Sequence, residues 1–269
     1  MASKLVPDYE VKLLLKPSEV LGSDNKLKDK VRSAFNIPSS TKKMNIQFMD
    51  TKEKDIYNKG WNLRIRKTEN DEEFELTYKK RYSVDEELSP PSKDKIDAAL
   101  RTAEQDGFDP RIYEAQVEVG YRKQTLSISH DEAVPDTGFR GMDLPLVEDS
   151  RKFLINKAPD KFKDWLPNNW GTNHLCDSII YGPVLAKRSK GTWEGFELLL
   201  EVWPIRKSKT DESLELIVEA SFKTPDLQKA VEGHASLEKF LRERGWFLEE
   251  DSLKTKLIME RYGDTTPLR

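Results

Sequence analysis

Apolar and polar residues alternate with a period of two in six separate stretches of this chain. In PDYEVKLLL, Tyr9, Val11, Leu13 and Leu15 share one face, and Asp8, Glu10 and Lys12 share the other. In GWNLRIRK, Trp61, Leu63 and Ile65 oppose Asn62, Arg64 and Arg66. In EEFELTYKKRY, Phe74, Leu76 and Tyr78 oppose Glu75, Thr77, Lys79 and Arg81. The same alternation sets Tyr113, Ala115, Val117 and Val119 against Glu114, Gln116 and Glu118. It also sets Phe196, Leu198, Leu200 and Val202 against Glu197 and Glu201, and Leu216, Val218 and Ala220 against Glu215, Glu219 and Ser221. With KMNIQFMDT and GPVLAKR added, the pattern predicts about eight strands, mostly antiparallel by their spacing. The range 113–129 reads as one long strand or a bent pair, with Gly120 a candidate bulge.

Helical periodicity is confined to the connections. It predicts helices over 24–36, over 92–107 with Ser92 as N-cap, near 149–157, from Pro225 at N1 to about Arg244, and over DSLKTKLIMERYG. Gly233 is a possible break in the fourth of these. SPPS at 89–92 interrupts the chain. The expected class is α+β, mainly antiparallel β, as a small barrel or strongly curled sheet.

Two architectures satisfy six strands that are charged on one face and bulky on the other. In a sandwich the apolar faces meet and the charged faces see water, which is the commoner arrangement. In a barrel with a wet interior the apolar faces point outward and need helices to cover them. The distribution of charge bears on the choice. Acids concentrate on the first and late strands and arginine and lysine on the middle ones. That segregation favours an internal site in which bases grip an anion and acids hold a metal.

Composition narrows the partners. The 269 residues suit one large domain or two small ones, and the net charge of −3 argues against whole-protein attraction to nucleic acid or anionic membrane. No stretch approaches 18 apolar residues and the N-terminus has no apolar leader segment, so the expectation is a soluble, cytoplasmic protein without membrane partners. The single cysteine, Cys176, rules out an internal disulfide and is expected to be a small buried hydrophobe. His130, His174 and His234 lack zinc-ligand spacing, and His234 is expected at a core boundary. Trp203, ahead of Pro204, is expected to cap a core.

Asp8-x-Glu10-x-Lys12 on the first strand resembles the ExExK signature of the CYTH, or triphosphate tunnel metalloenzyme, superfamily. QFMDT followed by WNLRIR is similar to that family's strand, Asp-Thr turn and paired arginines. LTYKK is similar to its next strand, LELIVEASF to its late acidic strand, and Thr255–Lys256 to its C-terminal Ser/Thr-Lys pair. The likeness covers about 5–80 and 182–262. Asp8 stands where the family has Glu, Ile217 interrupts the late acids, and 121–181 looks like an insertion in a single tunnel domain.

The resemblance implies an eight-stranded tunnel covered by helices that hydrolyses a triphosphate-containing substrate with Mg2+ or Mn2+. It implies phosphate binding by Arg64, Arg66 and Lys79, with either Lys187 or Arg188 adding a cation. It implies a metal held by Asp8, Glu10 and Glu219, and catalytic roles for Glu10, Lys12, Glu201 and Glu215. Such chemistry suits the residue types: arginine's fork matches phosphate oxygens, and hard oxygen ligands suit both metals. Two other functions share the same barrel. One is a transferase or synthase acting on an RNA-linked substrate such as aminoacyl-tRNA. The other is a binding module for polyphosphate or a phosphorylated ligand.

Overall fold

A computed structural model describes residues 4–85, 92–251 and 254–263. Residues 89–91 of the SPPS break, and 252–253 of the last predicted helix, lie outside the described residues.

The chain order is β1 (Pro7–Leu15), α1 (Pro17–Val20), α2 (Asp29–Ala34), β2 (Lys42–Asp50), α3 (Asp55–Asn58), β3 (Trp61–Thr68), β4 (Glu73–Asp85) and α4 (Lys93–Gln105). Then follow β5 (Glu114–Val119), β6 (Gln124–Pro135), α5 (Val147–Lys157), α6 (Asp160–Lys163), α7 (Trp170–Cys176), β7 (Ile179–Trp193), β8 (Phe196–Arg206), β9 (Leu214–Thr224), α8 (Leu227–Glu243), β10 (Phe247–Leu248) and α9 (Lys254–Arg261).

Nine strands close into a barrel in the order β1-β5-β6-β4-β3-β2-β7-β8-β9, because β1 pairs with β5 on one side and with β9 on the other. Closure leaves none of these nine strands with a free edge. The count is nine rather than eight because 113–129 is a pair: the chain turns between Gly120 and Lys123 and returns as β6. The β1–β5 pairing is parallel, an exception to the antiparallel expectation. The segment 121–181 supplies β6, the helices α5–α7 and the start of β7.

The apolar faces point outward. Val11, Leu13, Trp61, Leu63, Phe74, Leu76, Val117 and Leu200 are buried in the main core, under Ile96 and Ala103 of α4, Leu154 of α5, Phe162 of α6 and Leu237 and Leu241 of α8. Of the two architectures that alternation allows, the structure is therefore the barrel with a polar interior. Burying each large apolar side chain stabilises by about 1.5–3 kcal/mol, so the helical cover holds the barrel together from outside.

A second apolar cluster lies inside. Ile46 and Phe48 of β2, Trp203 and Ile205 of β8, and Ile258 and Met259 of α9 pack together. Thus α9 docks into one part of the barrel interior, and Trp203 does cap a core.

Several local expectations change. The predicted 24–36 helix is only α2, because Leu21 and Leu27 form a bridge around a turn with Asn25 at φ 58°. Asp226, not the residue before Pro225, caps α8, accepting the Lys229 N–H at 2.9 Å. Gly233 does not break α8; a Cβ there would stand 2.7 Å from the Phe222 ring, so the glycine permits close helix–barrel packing. Ser92 precedes α4 but makes no side-chain cap. Cys176 is exposed at the end of α7, not buried, because its neighbour Leu175 takes the inward position on that short helix. His234 is buried as expected, with Nε2 2.9 Å from the Gly120 carbonyl.

Candidate functional site

The inward faces of the strands enclose a cavity of about 550 Å³. Among the described residues, ten lysines and arginines and eight carboxylates line it. The excess of positive charge is small, so any anion must be recognised by local geometry rather than by a uniformly basic wall.

Three charge clusters organise the interior. The first joins β3 and β4. The Arg64 Nη2 group donates to Glu75 Oε1 at 2.6 Å and to Thr77 Oγ1 at 2.8 Å, and Arg66 donates to the other oxygen of Glu75. Register explains the clamp: Arg66 lies directly opposite Glu75, and Arg64 opposite Thr77. The Nε–H groups of Arg64 and Arg66 are buried donors with no acceptor among the described residues. Burial and the neighbouring Arg64 cation lower the Arg66 pKa to about 10, which leaves it charged at neutral pH. Burial opposes ionisation of Glu75, but Arg64 and Arg66 override it and hold its pKa below the usual carboxylate value.

The second cluster joins β1, β4 and β5 around Glu118. Lys12 Nζ lies 2.9 Å from Glu10 and 3.3 Å from Glu118. Lys79 lies 3.4 Å and Arg81 3.9 Å from Glu118, and Ser127 Oγ donates to it at 2.9 Å. Burial works against the Lys12 charge, yet Glu10, Glu118 and Glu219 raise its pKa above the usual value. Lys79 has fewer acids to share. Burial lowers its pKa to about 8, with Lys12, Arg81 and Arg64 pushing the same way. Glu118 is buried, but Lys12, Arg81 and Lys79 keep its pKa well below normal.

The third joins β7, β8, β9 and α9. Glu201 and Glu219 are a directly opposed pair across β8 and β9. Lys254 Nζ of α9 sits between them, 2.9 Å from Glu201 Oε2 and 2.7 Å from Glu219 Oε1. Arg188 Nε and Nη2 reach Glu201 Oε1 at 2.8 and 2.7 Å, and the Trp203 indole N–H donates to Glu201 Oε2 at 2.8 Å. Burial opposes ionisation of Glu201, but Lys254 and Arg188 depress its pKa strongly.

The expected site residues divide accordingly. Glu10, Lys12, Arg64, Arg66, Lys79, Arg188, Glu201 and Glu219 line one cavity, and Asp8 lies exposed at its rim. Between Lys187 and Arg188, the inward residue is Arg188; Lys187 is not among the cavity-lining residues. Glu215 is not in the cavity either. It sits near the start of β9, where Arg261 of α9 holds it at 2.6 Å. Glu197 is also outside, paired with Lys190. Acids and bases are not segregated: each cluster mixes both signs, because neighbouring strands place carboxylates opposite cations.

The acids do not assemble as a metal site would require. Among the described residues, no three His, Cys, Asp or Glu side chains stand close enough to hold an ion. The β1–β9 register gives the reason. Lys223 is opposite Glu10, Ser221 is opposite Lys12, and Glu219 is opposite Leu14, four residues along β1 from Glu10. Asp8, Glu10 and Glu219 therefore do not converge, and the donor set as folded does not fit a divalent ion.

Sequence reasoning passed over Glu75, Glu118, Arg81 and Lys254 as site residues. The first three share the inward face that alternation already identified. Lys254 is four residues before Ile258, so helical spacing puts both on one face of α9. The Thr255–Lys256 pair that resembled the family motif lines the cavity as well, but the buried ammonium is that of Lys254.

Fold and cavity together define a class: a closed β-tunnel lined by opposed charges. Solved structures share the fold. A Hippeastrum protein, HpAC1, described as an adenylyl cyclase with a dominant triphosphatase activity, has a TM-score of 0.54 at 15% identity, covering 92% of this chain and 93% of that one. A Bacillus halodurans protein described as an adenylate cyclase has a TM-score of 0.50 at 12% identity, covering 95% and 98%. No protein-family model matches the sequence, and no curated protein matches it. At these identities the likeness is one of fold, a closed β-tunnel flanked by helices. Among the described residues no helix is long and apolar enough to cross a membrane.

Proposed function

We propose that the tunnel binds a triphosphate-bearing anion, inorganic triphosphate or a nucleoside triphosphate, and hydrolyses its terminal phosphoanhydride. The observation that carries this reading is the pair of adjacent arginines on β3. Arg64 and Arg66 face the cavity with buried Nε–H donors that have no acceptor among the described residues. Phosphate oxygens satisfy such donors with strong, charge-assisted bonds. Glu75 accepts from the Nη2 groups of both arginines, which orients them before the anion arrives. Lys79 on the neighbouring strand β4 and Arg188 on β7 add positive charge.

In the reaction, water attacks the terminal phosphorus in line, the bridging P–O bond breaks, orthophosphate forms, and inorganic diphosphate or a nucleoside diphosphate leaves. Glu10 is the candidate acceptor of the water proton, since one of its oxygens pairs with Lys12 and the other has no partner among the described residues. Charge gathering on the leaving oxygens is stabilised by the arginines and Lys79.

Phosphate release from inorganic triphosphate and ATP, measured with Mg2+, with Mn2+ and with a chelator, tests the proposal. Glu10→Gln is expected to abolish release with the circular dichroism spectrum unchanged, and Arg64→Ala to raise KM. Full activity in Glu10→Gln overturns its role. A second reading, binding without turnover, is favoured by the lysines and arginines that already occupy Glu75, Glu118 and Glu201. Tight triphosphate binding with no release under any of the three conditions selects it.

A further inference from the structure

Glu201 and Glu219 stand directly opposite one another across β8 and β9. Like charges at such positions repel, and an opposed pair of buried carboxylates persists only with a cation between them. Here the cation comes from the far end of the chain, as the Lys254 ammonium at 2.9 and 2.7 Å. The pair still has spare capacity. Glu219 is 2% exposed, and its Oε2 is buried without a hydrogen-bond partner among the described residues. Glu201 Oε2 and Glu219 Oε1 thus share a single ammonium, Glu219 Oε2 is left over, and Arg188 occupies the remaining Glu201 oxygen.

We propose that Lys254 fills, in place of a divalent cation, the cation position between Glu201 and Glu219, and that this carboxylate pair takes a divalent cation once the ammonium is removed. Hard carboxylate oxygens are the ligands that Mg2+ and Mn2+ prefer, and two carboxylates are a usual protein contribution to such ions. Lys254 excludes the ion by charge and by position. The inference is independent of the phosphohydrolase reading, since it concerns binding of a metal ion alone.

Other contacts hold α9 in place. Ile258 and Met259, with Tyr262 just beyond the helix, are buried in the interior apolar cluster, the Tyr262 hydroxyl accepts the Arg206 N–H at 3.0 Å, and Arg261 pairs with Glu215. Replacing Lys254 by methionine therefore removes the charge and keeps the helix docked.

The test is Mn2+ binding by the full chain, followed by electron paramagnetic resonance of free Mn2+. Lys254→Met is expected to gain one site at least about tenfold tighter than any in the wild type. Lys254→Arg is expected to match the wild type, and Lys254→Met with Glu219→Gln is expected to lose the gain. Equal Mn2+ binding in Lys254→Met and wild type overturns the proposal, as does a gain that survives Glu219→Gln. If Lys254→Met is unfolded in metal-free buffer, Mn2+-dependent refolding that Glu219→Gln prevents supports the proposal, and failure to refold with Mn2+ overturns it.

Discussion

Replacing Arg66 by alanine separates anion recognition from folding. Arg66 shares Glu75 with Arg64, so after the substitution Glu75 keeps its 2.6 Å contact to Arg64 and its bond from Thr77. No buried carboxylate is stranded, and the stability loss is expected to stay near that of a partly exposed ion pair, about 1 kcal/mol or less. For a chain of this size that is a fall in Tm of no more than about 3 °C. Binding should respond far more. The buried Nε–H has no acceptor among the described residues, and a hydrogen bond to a charged oxygen contributes about 1.5–3 kcal/mol. That range corresponds to a roughly 10- to 150-fold weaker Kd for inorganic triphosphate. Calorimetric titration and a thermal melt on the same sample read both quantities. Arg66→Lys should recover only part of the affinity, because an ammonium keeps the charge and loses the fork. An unchanged Kd in Arg66→Ala would refute the assignment of the β3 arginines as the anion grip.

Glu118→Gln should destabilise by about 3 kcal/mol or more at pH 7, because it leaves Lys12, Lys79 and Arg81 without their shared anion. The Glu118 pKa is lowered in the fold, so its stabilisation is complete above its ordinary value of 4.5 and fades as pH falls below it. The Tm gap between wild type and Glu118→Gln should therefore hold from pH 7 to about 5 and narrow as pH falls from about 5 to 3; a gap that does not narrow there contradicts the pairing. Lys79, with its pKa lowered to about 8, loses charge between pH 7 and 9. Triphosphate affinity of the wild type should drop about tenfold over that interval relative to Lys79→Met, which cancels the ligand's own titration; parallel pH profiles would remove Lys79 from the anion site. Glu215→Gln, outside the cavity, should leave triphosphate binding unchanged in calorimetry, and a large loss would return it to the site.

Alternation made the inward face legible before any coordinates. Glu10, Lys12, Arg64, Arg66, Lys79 and Glu201 reach one cavity because a strand's period of two admits only two faces. The choice of which face is inside was not local. It depends on helices α4, α5, α6 and α8 covering the apolar side, and a sandwich would satisfy the same strands. Strand pairing was also beyond the one-dimensional pattern. The β1–β9 register separates Glu219 from Glu10, and no periodicity within either strand specifies that offset.

The sequence by itself determined the elements, the polar and apolar faces, and the residue types able to grip a phosphate, since these follow from spacing along one segment. The tertiary structure alone decided which charges meet. Glu75 bridges two arginines, Glu118 gathers three cations, and Lys254 arrives from the last helix to part Glu201 from Glu219. Electrostatic energies depend on distances across the barrel, and those distances exist only once the sheet has closed.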